Sequence, residues 1–156
     1  MTDVHNKATR SKNMAAIRSS NTKSEKWIRK QLHKAGLRYR LNVSGMPGSP
    51  DIVLKKYRAV IFVNGCFWHR HQCTLFKWPK SRQLWWREKL NGNYQRDLIV
   101  QDKLRESGWR VLVIWECALK GPRKWPEDEL IKAITKWLNS GGPLQDISEN
   151  YSSRVP

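Results

Sequence analysis

The stretch WRVLVIW, residues 109–115, is apolar throughout except at Arg110. A run this short and this apolar suits a strand enclosed by neighbours better than a helix, so it is expected near the centre of a sheet. Upstream, residues 83–106 read as helical, with an interruption at Asn91-Gly92-Asn93 and an inner face of Tyr94, Leu98 and Leu104. Further back come three strand candidates, LRYRLNV (37–43), DIVL (51–54) and RAVIFV (58–63), the first two separated by the turn-rich SGMPGSP. A helix precedes them. Thr22 and Glu25 have capping-box spacing, Trp27, Ile28, Leu32 and Ala35 form its apolar face, and Gly36 ends it. Downstream, Pro126 opens a last helix bearing Leu130, Ile131, Ile134, Trp137 and Leu138, closed by Gly141. The order helix, three strands, helix, strand, helix predicts an α/β fold: a mixed sheet flanked by helices.

With 156 residues the chain suits one domain with a real core. Residues 1–21 read as a basic arm, 22–140 as the core and 141–156 as a loose tail. Lys and Arg number 30 against 13 acids, a net charge of +17 spread along the chain. That excess is beyond what solubility requires, and it points to a polyanion such as nucleic acid. No apolar run approaches membrane-spanning length and no apolar signal core opens the chain, so a cytoplasmic protein with no membrane partner, acting as a monomer, is expected.

NGCFWHRHQC, residues 64–73, carries the chemistry. Cys66, His71 and Cys73, with Cys117 just past the expected central strand, supply a Cys3His set suited to tetrahedral zinc. Such a closed site is structural, and at about 10 kcal/mol of apparent binding free energy it can hold an irregular loop rigid. The alternative is three buried free thiols beside a surface histidine, and His69 is a possible ligand in place of His71.

Asp51 stands at a strand start after a Gly/Pro loop, where a carboxylate can hold Mg2+ beside a phosphate. The neighbouring strand ends Phe62-Val63-Asn64-Gly65, without the acid and lysine that such nucleases usually add. His69, if not a zinc ligand, could deprotonate the attacking water, with Asp97 orienting its ring and Glu25 holding a metal-bound water. Phe67, Trp68 and Trp86 flank this centre; they could pack in the core, or could wedge between bases, which is least costly where pairing is already faulty.

In order and spacing, DVHNKATRSKNMAAIR, TKSE, PGSPDIV, VIFVNGCFWHRHQC and GWRVLVIWECAL resemble the very short patch repair endonucleases, from residue 3 to about 119. The resemblance implies a restriction-endonuclease-like fold and a DNA mismatch endonuclease. Such an enzyme nicks one strand of double-stranded DNA 5′ to the thymine of a T·G mismatch arising from 5-methylcytosine deamination, and excision and mismatch-repair proteins act afterwards. It implies Mg2+ held by Asp51 and the Val63 carbonyl, His69 as general base, Asp97 behind it and Glu25 in the water network. It assigns zinc to Cys66, His71, Cys73 and Cys117, entry into the base stack to Phe67, Trp68 and Trp86, and a DNA clasp to the arm that includes Met14. Two positions depart from the family pattern: Val63 replaces a threonine and Asn64 a histidine that manages charge near the scissile phosphate. The competing expectations are a zinc-stabilised DNA-binding protein without catalysis and a restriction-like enzyme that cuts matched duplex.

Overall fold

Alternation of side chains along three strands divides the core into two faces. A computed structural model describes residues 22–41, 43–142 and 144–150; the arm, Met14 and residues 151–156 lie outside the described residues. The sheet has the order β1 (Arg40–Leu41), β2 (Ile52–Leu54), β3 (Ala59–Asn64), β4 (Arg110–Trp115), β5 (Asp146–Ile147). β1, β2 and β3 are antiparallel neighbours, whereas β4 runs parallel to β3 and β5 parallel to β4, giving a mixed sheet.

Ile52 and Leu54, Ala59 and Ile61, and Leu112 and Ile114 point to one face. There they meet Ile28 and Leu32 of α1 (Lys23–Lys34) and Leu130, Ile134, Trp137 and Leu138 of α4 (Glu127–Ser140). The residues between them, Val53, Val60, Val111 and Val113, face Leu104 and Val100 of α2 (Gln83–Glu106). The period of two thus feeds two helical layers from one sheet, which is why β3 and β4 are apolar on both sides. A short α3 (Glu116–Leu119) follows β4 directly.

Thr22 caps α1 by accepting from the Glu25 N–H at 3.1 Å. At its other end Gly36 sits at φ 86, with Gly36 N–H bonded to His33 O and Leu37 N–H to Leu32 O, both at 3.0 Å. This Schellman closure takes the first residue of the expected 37–43 strand into the helix cap, so only Arg40–Leu41 pair with β2. The expected interruption of α2 does not occur: the helix runs unbroken through Asn91-Gly92-Asn93. Nor is the end of the core a loose tail as far as Asn150. The Gln145 carbonyl accepts from Val113 N–H, Ile147 is 2% exposed, and Trp125 Nε1 donates to the Ser148 carbonyl at 2.7 Å. Two residues of strand have no legible period, but docking beside β4 satisfies backbone groups that β4 would otherwise expose.

Candidate metal centre and active site

Register places two cysteines together before any side-chain contact is considered. Asn64 pairs with Trp115 across the parallel β3–β4 ladder, so Cys66 and Cys117, each two residues further on, emerge side by side. Both are buried, and the Cys117 N–H points at Cys66 Sγ at 3.3 Å. The chain after Cys66 turns back, with His71 N–H donating to the Cys66 carbonyl at 2.9 Å, and delivers His71 and Cys73 to the same place. One ligand atom from each of Cys66, His71, Cys73 and Cys117 lies within 4.8 Å of all the others. Cys117 Sγ and His71 Nδ1 are 3.7 Å apart, close to the roughly 3.6 Å that a tetrahedral zinc with ordinary bond lengths imposes on a sulfur–nitrogen pair. The donor set therefore fits a structural metal such as zinc.

The thiols are electrostatically linked. A hydrogen bond with Cys66, then the nearby His71, lowers Cys117 to about 5, while the same Cys117 contact and burial push Cys66 up. Burial likewise raises Cys73. A cation held among the three sulfurs is what would let all of them be thiolates. The His71 ring stacks on Trp115, with centroids 4.0 Å apart and planes at 6°.

On the other flank of β3, Asp51 precedes β2 and accepts from the Val63 N–H at 2.7 Å. Burial, followed by a hydrogen bond with Glu25 and that residue's charge, raises Asp51 to about 8 despite the opposing pull of the Val63 N–H and Arg29. Glu25 itself is 2% exposed, with Arg29 Nη2 at 3.8 Å. Two acids brought together out of water form the oxygen-rich setting that a hard cation prefers.

His69 lies beyond the same end of β3, its N–H directed at the Gly65 carbonyl at 3.3 Å. Its Nδ1 meets Asp97 Oδ2 at 2.5 Å, so Asp97 on α2 orients the ring and leaves Nε2 for other chemistry. His69 and His71 are thus separated by role as well as position: His71 joins the sulfurs, His69 the carboxylate.

Phe67, Trp68 and Trp86 form one cluster rather than entering either core. Phe67 lies 5.2 Å from Trp68 and 5.3 Å from Trp86, and the two tryptophans are 5.9 Å apart. All three are only partly buried, and neighbouring Trp85 is 43% and Leu84 81% exposed. Arg82 stands over Trp85 and Arg87 over Trp78, giving the patch a cationic margin.

The family model for DNA mismatch endonuclease Vsr matches residues 2–75. DNA mismatch endonuclease Vsr of Escherichia coli (strain K12) is 46% identical over 147 residues, 94% of this chain and 94% of the relative. The chain belongs to the Vsr family. Also similar are the type II nicking enzymes V.XorIIP of Xanthomonas oryzae pv. oryzae, 44% identical over 76% of this chain and 88% of its own length, and V.NmeAIP of Neisseria meningitidis serogroup A, 44% identical over 77% and 86%.

In this Vsr-family chain several residues that support the site carried no readable signal. Glu149, 5% exposed, accepts from the Thr74 N–H at 3.2 Å and from its hydroxyl at 2.6 Å, which pins the residue after Cys73; its backbone also helps to lower Cys117. The seventy-five residues separating this pair hide it from any local pattern. In the sequence Trp115 is only the end of an apolar strand, yet it backs His71 and lies edge-on to His69 at 6.3 Å. Asn93, which lies in the expected helix break, donates to the Trp68 carbonyl at 2.9 Å. Among the described residues no helix is long and apolar enough to cross a membrane.

Proposed function

We propose that this Vsr-family protein is a Mg2+-dependent endonuclease that nicks one strand of duplex DNA 5′ to a thymine mispaired with guanine, as 5-methylcytosine deamination produces, and so initiates very short patch repair. The observation that carries the reading is the 2.5 Å contact of His69 with Asp97, on a loop that begins where the Val63 N–H meets Asp51. A partly buried carboxylate and an oriented imidazole at the end of one strand supply the two functions that phosphodiester hydrolysis needs.

His69 removes the proton from water at Nε2 as the oxygen attacks phosphorus; the opposite phosphorus–oxygen bond breaks, and the leaving oxygen takes a proton from solvent water. Asp97 holds the proton on Nδ1, fixes the tautomer and stabilises the imidazolium that forms. Asp51 and the carbonyl of Val63 would hold Mg2+, which when bound neutralises charge developing at the phosphate. An extended residue sends its N–H and C=O to the same side, so the N–H bond to Asp51 supports a Val63 carbonyl turned to that flank. Glu25, beside Asp51, orders water. Asn64, 6% exposed, cannot take up a proton near the scissile phosphate as a histidine could.

Zinc on Cys66, His71, Cys73 and Cys117 keeps the loop rigid, and the partly buried Phe67, Trp68 and Trp86 enter the stack where T·G pairing is weak. The arm with Met14 clasps the duplex from its other side. The mixed sheet is of restriction-endonuclease-like type, and the protein acts as a monomer in the cytoplasm, ahead of excision and mismatch-repair proteins.

Nicking of labelled duplexes that differ only in T·G or T·A at one position tests the reading. Product is expected from T·G alone, on the thymine strand and only with Mg2+. Asp51→Ala should bind the mismatch within about twofold of wild type and lose nicking by at least a thousandfold, on the order of the larger losses seen when catalytic groups are removed. Mismatch binding without any Mg2+-dependent product would leave a DNA-binding protein; cleavage of both strands in matched plasmid would leave a restriction-like enzyme.

A further inference from the structure

We infer that Asn93 is a positioning residue that locks the peptide joining Trp68 to His69, and so ties entry of the wedge into DNA to the setting of the general base. This rests on the proposed nicking reaction. A metal on the Cys/His set would fix the loop at residues 66, 71 and 73 and leave 67–70 to other contacts. What holds them is one stretch of α2. Asn93 Nδ2 donates to the Trp68 carbonyl at 2.9 Å, Asp97 meets His69 Nδ1 at 2.5 Å, and Asn91 Oδ1 accepts from Arg70 Nη1 at 2.9 Å. The Arg70 guanidinium also lies 4.0 Å above the Tyr94 ring. Three consecutive loop residues are each gripped from a helix segment of seven residues, 91–97.

Asn93 and Asp97 are four apart and therefore share a helix face, so the carbonyl of Trp68 and the ring of His69 are set by the same rigid rod. The peptide between Trp68 and His69 is held at both ends: its oxygen by Asn93, and its N–H directed at the Gly65 carbonyl. A planar peptide cannot tilt at one end alone, so force on the Trp68 backbone would otherwise swing His69. The orientation of the Asn93 amide is itself specified, because Arg96 Nη2 donates to Oδ1 and leaves Nδ2 for Trp68.

Two variants and two readouts test the lock on the full chain with zinc bound. Asn93→Ala removes the bond; Asn93→Asp keeps the shape and sets an acceptor against the Trp68 carbonyl. Both should slow single-turnover nicking of a T·G duplex at least tenfold and hold its Kd within twofold. The fluorescence rise of 2-aminopurine beside the mismatch, which reports unstacking, should persist. Asn93→Gln, which retains the donor, should recover part of the rate. Wild-type nicking rates in both Asn93→Ala and Asn93→Asp overturn the inference. So does loss of unstacking or of zinc in step with nicking, because Asn93 would then merely support the wedge or the fold. A wild-type protein that fails to nick T·G defeats the proposed reaction instead, a result told apart by the control arm alone.

Discussion

The carboxyl of Asp51 shows how strongly a single position can be set by its surroundings. Burial and Glu25 hold its pKa at about 8 in the folded chain, against an ordinary carboxylate value of 3.8. A raised folded pKa means that the contribution of this group to stability is present below 3.8 and is lost as pH rises through about 8. A divalent cation reverses the balance by competing with the proton for the same oxygens. The half-saturating Mg2+ concentration for nicking should therefore fall as pH rises from about 6 to 8, by up to about tenfold per unit, and level off above that. Mg2+ titrations of single-turnover nicking at each pH measure it, with the midpoint rather than the plateau read so that titration of His69 is kept apart. A midpoint independent of pH would contradict a metal role for Asp51. The sequence offers Asp51, after its Gly/Pro loop, as a candidate ligand, and Glu25 both as half of a capping box and as a candidate to hold a metal-bound water; only the packing of α1 against the sheet turns the Glu25 side chain to Asp51.

At the scale of elements, the sequence was readable wherever local chemistry and tertiary demand agree. The capped amphipathic α1 and α4 and the apolar β2, β3 and β4 satisfy both. They disagree in α2, where Asn91, Gly92 and Asn93 disfavour a helix locally, yet the two asparagines bond across to the loop and the helix persists. Gly92 has no such contact: a Cβ there would meet nothing nearer than Arg96 Nη1 at 4.0 Å. Gly92→Ala should stabilise the protein by about 0.5–1 kcal/mol, read as a rise in Cm at unchanged m, with nicking unaltered. The stretch 144–150 failed to show itself for a different reason: its anchor is the remote Thr74, and two residues of strand have no period. Because Glu149 holds the residue next to Cys73, Glu149→Ala should speed zinc release to a chelator at least tenfold at neutral pH. Release as slow as in wild type, followed with a chromogenic chelator, would mean that the segment only covers the sheet.

For the molecule as a whole, the proposed function gives charge and aromatic patch separable work on DNA. A net charge of +17 attracts the phosphate backbone irrespective of sequence or mismatch. In the proposed reaction the partly buried Phe67, Trp68 and Trp86 act on bases and displace few counterions. Affinity for T·G duplex should then fall steeply with salt, with a log–log slope of about −5 or steeper if six or more phosphates are neutralised, and T·A duplex should give the same slope. The ratio of the two affinities should stay constant between about 50 and 200 mM salt, because the wedge contributes to the ratio and the charge does not. Trp68→Ala should lower that ratio several-fold at unchanged slope, since it removes about 1–3 kcal/mol of stacking and no charge. Fluorescence anisotropy across a salt series separates the two. A ratio that collapses with rising salt would mean that discrimination is itself electrostatic, and the aromatic cluster would lose its assigned part in choosing the mismatch.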